Sequence, residues 1–128
     1  MRTILSIYAL KLAGTLRLYI GTARTQNLRK NMKTPDECQN MTDIRAEIDT
    51  IDRQVIKLLG QRFAYVKAAS KFKTSETSVK APSRFQAMLQ QRRTWAQEEG
   101  LNPDVIEKMY TDLVNYFIEE EMKHWQNK

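Results

Sequence analysis

Apolar residues recur at alternating spacings of four and three along the part of the chain that follows residue 42. Between Asp43 and Lys73 there is no proline, and the only glycine is Gly60. This periodicity places the apolar side chains on one face and predicts an amphipathic α-helix that begins at a Thr42 cap and runs to Lys73. The apolar seam of this helix is formed by Ile44, Ile48, Ile51, Val55 and Leu58.

Two further helices are predicted after a polar stretch. The segment from Lys73 to Pro82 is rich in serine and threonine, which is typical of a loop. Pro82 then opens a second helix that ends at Gly100, because proline is favoured in a first turn and glycine just past a last one. Asn102 caps a third helix that runs to about Trp125. No strand pattern appears, so the sequence predicts an all-α fold of three helices.

The first helix is long for so short a chain. From Thr42 to Lys73 it would extend about 48 Å at about 1.5 Å per residue. A compact domain of about 100 residues has a diameter of only roughly 33 Å. Part of the apolar seam would therefore stay uncovered, and a second copy of the same helix in a symmetric homodimer would cover it. The alternative is a lone helical hairpin with a frayed end.

Charge is distributed unevenly along the 128 residues. The net charge is +6, but the whole excess lies in residues 1–31, which hold six basic residues and no acid. The remaining 15 basic residues are balanced by 15 acidic ones. This neutral body lacks the basic surface of a nucleic-acid-binding protein.

Residues 1–31 are expected to be an N-terminal extension, and residues 32–128 a single helical domain. Lys11 and Arg17 interrupt the apolar run of the extension, which is too short and too charged to span a membrane. An acid-free, Arg-bearing segment also fits an organellar presequence. A start of translation at Met32 is the favoured interpretation, because Thr34-Pro35 soon after it has the residues of a capped turn.

Two charged residues fall where the helical pattern requires apolar ones. Arg62 continues the seam of the first helix, and Glu121 lies among Phe117, Ile118 and Trp125 on the third. An unpartnered charge is costly to bury, and departures from a consistent pattern are expected at functional sites. The alternatives are an Arg62 head group that extends into solvent and a Glu121 that belongs to a solvated run of three glutamates.

Helical geometry groups Arg62 with one more cation. Lys73 follows it by 11 residues, which places both on one face about 16 Å apart, close enough for two long side chains to converge on a small anion. Arg45 precedes Arg62 by about 25 Å along the same helix. It could reach the same ligand only from the partner chain of an antiparallel dimer, and the alternative for it is an exposed ion pair with Asp49.

The segment from Met32 to Lys128 resembles the isochorismate pyruvate lyases, enzymes that share the fold of the small helical chorismate mutases. The resemblance covers all 97 residues from Met32 without apparent gaps. The matching stretches are Met32-Lys33-Thr34-Pro35 with Cys38, Asp43-Ile44-Arg45 leading into Ile48-Asp49, Tyr65-Val66-Lys67-Ala68-Ala69-Ser70 with Phe72-Lys73, Ala81-Pro82 with Arg84, Trp95-Ala96 with Glu98-Glu99, Gly100-Leu101, and Lys123 with Trp125.

The resemblance implies an intertwined homodimer of the chorismate mutase type II fold. It implies conversion of isochorismate to salicylate and pyruvate, in salicylate and siderophore biosynthesis, in the cytoplasm and without a cofactor or metal. The family's substrate-binding residues fall on Arg45 from the partner chain, Arg62, Lys73 and Glu121, with Lys73 and Glu121 as the catalytic pair. The segment after Lys73 resembles the family's mobile lid. Nucleic acid and membranes are not expected partners.

One position departs from the family pattern. The lyases carry glutamine where this chain has Glu121, and an ionised carboxylate cannot donate the hydrogen bond that glutamine donates. A protonated Glu121 could donate it, and an apolar setting would favour that form. Two alternative functions stay open, which are a chorismate mutase that converts chorismate to prephenate and a non-catalytic helical dimerisation module.

Overall fold

A computed structural model describes residues 32–127, and within this range every regular element is helical. The all-α prediction is therefore confirmed. The predicted N-terminal extension, residues 1–31, lies outside the described residues. The α-helices are α1 (Met41–Ala69), α2 (Glu76–Lys80), α3 (Pro82–Glu98) and α4 (Pro103–Gln126), with short 3-10 helices at Pro35–Glu37 and Ser70–Phe72.

The described chain divides into two compact units, the first ending at Gln54 and the second beginning at Val55. In the first unit the Pro35–Glu37 turn precedes the start of α1, and Lys33 pairs with Asp43 at 2.9 Å. The cap of α1 is Asn40 and not Thr42 as predicted, because the Asn40 Oδ1 accepts from the backbone N–H of Asp43 at 2.9 Å. Asparagine and threonine both cap helices, so the sequence pattern alone did not separate them.

The segment predicted as a loop after Lys73 contains the short helix α2, so that prediction was wrong. Ser75 and Ser78 lie three residues apart and cap the helix reciprocally. The Ser75 Oγ accepts from the Ser78 N–H at 3.1 Å, and the Ser78 Oγ accepts from the Ser75 N–H at 3.1 Å. Serine-rich composition is typical of loops, but serines at this spacing form a capping box that begins a helix.

The second unit is built around the antiparallel contact between α3 and α4. Its core cluster consists of Met88, Leu89 and Val114, with Phe85, Tyr110 and Ile118 packed against it. The two helices can follow each other closely because Gly100 adopts a φ of +72°. In this conformation the Leu101 N–H reaches the Ala96 carbonyl at 2.7 Å, which is the Schellman ending that glycine permits.

The C-terminal part of α1 packs on the same pair of helices. The Phe63 ring lies 5.1 Å from the Phe117 ring, centroid to centroid. Ser70 and Val79, on either side of Lys73, are both almost completely buried. These contacts place the end of α1, the turn after it and α2 around one side of α4.

Candidate active site

A cavity of about 380 Å³ opens within the second unit. Its lining comes from the end of α1, the segment from Lys73 to Ala81, one face of α3 and the inner face of α4. Apolar residues make up most of the wall. The charged residues that line it are five cations and one carboxylate: Arg62, Lys73, Lys80, Arg84, Arg92 and Glu121. A cavity with this excess of positive charge is suited to a small, multiply charged anion with an apolar body.

The Arg62 guanidinium is held between an aromatic ring and a thioether. Its centre lies 5.1 Å from the centroid of Phe117, and its Nη2 donates to the Met88 Sδ at 3.7 Å. The Nη1 is inaccessible to solvent and has no hydrogen-bond partner among the described residues. Arg62 therefore does not extend its head group into open solvent. Arg62 lines the cavity, and a guanidinium binds carboxylates well.

Burial and neighbouring cations act together on Arg62. Desolvation lowers the pKa of the Arg62 guanidinium, Tyr110 raises it, and the positive charges of Arg92 and Arg84 lower it. Arginine stays protonated throughout the accessible pH range. The lowered pKa thus indicates a cation that an entering anion would stabilise.

Lys73 directly follows the Ser70–Phe72 3-10 helix, and its backbone is extended, with φ −88° and ψ 134°. Its ammonium donates to the Ser78 carbonyl oxygen at 2.8 Å, which links it to α2. Its own carbonyl oxygen accepts from the Trp125 indole N–H at 3.0 Å. Lys73 is consequently fixed at both its backbone and its side chain on the wall of the cavity.

Glu121 is buried in the cavity wall with only 5% of its surface exposed. Its Oε1 is inaccessible and has no hydrogen-bond partner among the described residues. Burial raises the pKa of the Glu121 carboxyl, and the positive charge of Lys73 opposes that rise. Glu121 is thus not part of a solvated acidic face, although Glu119, two residues earlier, is exposed.

Arg45 lies in the first unit, and its side chain is exposed. Among the described residues it forms no ion pair with Asp49, which was the alternative role for it. It does not line the cavity. Of the four predicted site residues, the structure brings together Arg62, Lys73 and Glu121.

Two arginines of α3 line the cavity but were not predicted as site residues. Arg84 and Arg92 lie one turn before and one turn after Met88, so all three face the cavity. The Arg92 guanidinium stacks on Trp95 at 4.5 Å and lies 5.6 Å from the Tyr110 centroid. A search of α3 for cations four residues either side of a buried position would have found both.

Comparisons with known proteins agree with this geometry. Residues 44–122 match the family model described as chorismate mutase type II. The chain belongs to the chorismate mutase type II family. The predicted chorismate mutase type II family and helical fold are therefore confirmed, while the intertwined homodimer stays a prediction. All the residues that line the cavity lie within the matched segment.

Two curated proteins are similar to this chorismate mutase type II chain. An isochorismate pyruvate lyase of Pseudomonas aeruginosa is 44% identical over 95 residues, which cover 74% of this chain and 94% of that protein. A T-protein of Haemophilus influenzae is 37% identical over 81 residues, which cover 62% of this chain but only 20% of that protein. The similarity to the lyase thus spans nearly the whole of its length, whereas the similarity to the T-protein is confined to one part of it.

A separate finding concerns membranes. Across residues 32–127, none of the helices combines the length and the apolar composition that a membrane crossing requires.

Proposed function

We propose that this protein is an isochorismate pyruvate lyase, which converts isochorismate to salicylate and pyruvate. The observation that carries the proposal is the cavity of the second unit, in which five cations and a buried carboxyl group surround an apolar space. Isochorismate carries two carboxylates on a largely apolar frame, so its charge and polarity complement this lining. The 44% identity to a lyase over 94% of that enzyme supports the same substrate.

Each site residue then has a chemical role. Arg62 binds a substrate carboxylate with the donors that Met88 and Phe117 leave unused. The Lys73 ammonium, which donates to the Ser78 carbonyl oxygen, has three donors and also binds the ether oxygen of the substrate, where negative charge develops as the C–O bond breaks. Protonated Glu121 donates a hydrogen bond toward the same ether-oxygen side of the ligand.

The reaction needs no nucleophile. A hydrogen moves within the substrate while the C–O bond breaks, so the enzyme contributes by holding the enolpyruvyl chain over the ring. Val66, Val79 and Ile118 line the cavity and give that geometry an apolar setting. Charge stabilisation by Lys73 is worth more in such a setting than it would be in water.

The proposed active unit is a homodimer. In the first unit Ile48 is 49% exposed, and in the second unit Leu58 is 60% exposed, although both belong to the apolar seam of α1. A soluble monomer rarely leaves such a continuous apolar surface uncovered. A second copy of α1 would cover it, and Arg45 from the partner subunit would then supply a further cation to the substrate.

A mutase activity is the second candidate, because the family model that matches the chain is that of the type II chorismate mutases. Chorismate carries the same two carboxylates, and its rearrangement to prephenate would use the same cations. We propose the lyase as the main activity, since the similarity to the lyase covers nearly all of that enzyme. For either reaction a cytoplasmic location is proposed, since the chain's single cysteine suits a reducing compartment.

The test compares two lysines that lie two residues apart. Salicylate fluorescence is followed after isochorismate is mixed with the full chain, with Lys73→Ala, or with Lys71→Ala, a control that removes an exposed ammonium outside the cavity. Loss of one preorganised electrostatic contact lowers kcat by about 100- to 1,000-fold, so this is the expected effect of Lys73→Ala. A threefold effect or less, or equal effects of the two substitutions, would contradict the proposed role of Lys73.

A further inference from the structure

Trp125, in the last turn of α4, forms a hydrogen bond with Lys73 that has no role in the proposed chemistry. The Trp125 indole N–H donates to the Lys73 carbonyl oxygen at 3.0 Å across 52 residues of sequence. Trp125 is half-buried, and it does not line the cavity. Its contact with the site is therefore made through the backbone of Lys73.

The same helix carries Glu121 one turn earlier. Residues four apart lie on one face of a helix, so Glu121 and Trp125 face the same side of α4. Glu121 reaches the cavity directly, whereas Trp125 reaches the backbone of the residue whose ammonium lies on the cavity wall. The hydrogen bond thus joins the backbone of Lys73 to the same helix that carries Glu121.

Two other hydrogen bonds of Lys73 differ in kind from this one. The Lys73 N–H reaches the Ser70 carbonyl at 3.2 Å, which is a local bond within the 3-10 turn. The ammonium donates to the Ser78 carbonyl oxygen and, with three donors, can bind the ether oxygen of the substrate as well. The bond from Trp125 is made to the backbone carbonyl, so it does not compete with the substrate for the ammonium.

We propose that Trp125 is a positioning residue that holds Lys73 in place on the wall of the cavity that Glu121 also lines. This inference rests on the proposed function, since it assigns Trp125 to the same site and reaction. Trp125 does not touch the substrate. It acts by holding Lys73, which follows the 3-10 helix at the end of α1 and precedes the segment that leads to α2.

The substitution that tests this role is Trp125→Phe, which removes the N–H donor and retains an aromatic ring. Trp95→Phe is the matched control, because Trp95 is exposed on α3, lies outside the cavity lining, and is replaced by a residue that keeps an aromatic ring beside the Arg92 guanidinium. A hydrogen bond has a net worth of about 0.5–1.5 kcal/mol, and 1.36 kcal/mol is a factor of ten in rate. We expect Trp125→Phe to lower kcat by about 2- to 13-fold with KM changed less than about twofold, and Trp95→Phe to leave both within less than about twofold.

A double-mutant cycle separates positioning from general destabilisation. In the Lys73→Ala background there is no ammonium to position, so adding Trp125→Phe should leave the residual rate unchanged within about twofold. A purely structural role predicts the same fractional loss in both backgrounds. The proposal would be overturned by equal fractional losses in the two backgrounds. It would also be overturned if Trp125→Phe caused no loss in the chain that retains Lys73.

A measurement on the unsubstituted full chain does not depend on turnover. The protein has two tryptophans and hence two indole N–H signals in its ¹H–¹⁵N spectrum, which Trp95→Phe assigns. The Trp125 indole proton should exchange with solvent more slowly than that of exposed Trp95. Equal, fast exchange would overturn the positioning role even if the enzyme is active. A protected proton in a protein that releases no salicylate would instead uphold the contact and refute the proposed function.

Discussion

The protonation state of Glu121 decides whether the cavity can act on a dianion, and Glu121→Gln tests this directly. Burial raises the pKa of the Glu121 carboxyl above its ordinary value of 4.5, against the opposing charge of Lys73. The neutral carboxyl group can donate a hydrogen bond to the ligand, whereas the carboxylate can only accept one and repels the substrate. Glutamine donates at every pH and has nearly the same shape.

The expected fall in kcat when Glu121 ionises follows from the loss of one hydrogen-bond donor in the active site. Removing a preorganised hydrogen-bond donor lowers kcat by about 100- to 1,000-fold. Above the folded-state pKa of Glu121, each unit of pH lowers the neutral fraction, and so the rate, by about tenfold until that limit is reached. For Glu121→Gln no such fall is expected, and its rate should exceed that of the unsubstituted chain at the alkaline end.

Stability should change with pH in the same direction. The Glu121 pKa is higher in the folded state than in the unfolded state, so the folded state binds the proton more tightly. The contribution of Glu121 to the free energy of unfolding is therefore fully present below its pKa in the unfolded state. It is lost as the pH rises through its pKa in the folded state. Glu121→Gln should remove this part of the pH dependence of the free energy of unfolding.

The assay is the pH dependence of kcat for salicylate release between pH 5 and pH 9, with urea denaturation at the same pH values. Glu119→Gln is the control, because Glu119 is an exposed carboxylate two residues earlier on α4. It should reproduce the profile of the unsubstituted chain. A profile that Glu121→Gln leaves unchanged would refute the reasoning, because the titrating group would then lie elsewhere.

Three further predictions concern the residues around the site and along α1. Met88→Leu removes the thioether that accepts from Arg62, and we expect KM to rise by about threefold with kcat unchanged, as steady-state kinetics would show; a fall in kcat alone would contradict this. Ala81 has a φ of +40°, so Ala81→Gly should raise the free energy of unfolding by about 0.5–1 kcal/mol in urea denaturation; a loss of stability would show that the residue is not strained. Leu58→Glu should shift the protein from dimer to monomer in sedimentation experiments. The control Ala64→Glu, on the side of α1 opposite the apolar seam, should not. Equal effects of the two substitutions would argue against the apolar seam as the dimer interface.

The helices were predictable because their limits are encoded locally. Proline in the first turn and glycine after the last define α3 and the start of α4, and the structure agrees to within two residues at the end of α3. The helix α2 was missed because it is a single capped turn of five residues, for which composition favours a loop. Only the three-residue spacing of Ser75 and Ser78 distinguished it.

The candidate site was predictable where a charge violated the apolar pattern. Arg62 and Glu121 were visible in this way, since each falls at an apolar position of its helix. Arg84 and Arg92 were missed because α3 is polar on most of its surface, so cations there violate no pattern. The contacts of Lys73 with Ser78 and Trp125 depend on tertiary packing, which no spacing along one helix specifies.

The most direct test of the central claim is an analysis of products from isochorismate and chorismate offered separately to the full chain. Salicylate and pyruvate in equal amounts from isochorismate, with a much slower conversion of chorismate, is the result that a lyase site built on Arg62, Lys73 and Glu121 predicts. Rapid formation of prephenate from chorismate with isochorismate left intact would contradict it and would assign the cavity to the mutase reaction. No product from either substrate at pH 5.5 and pH 7.5 would contradict both enzymatic functions.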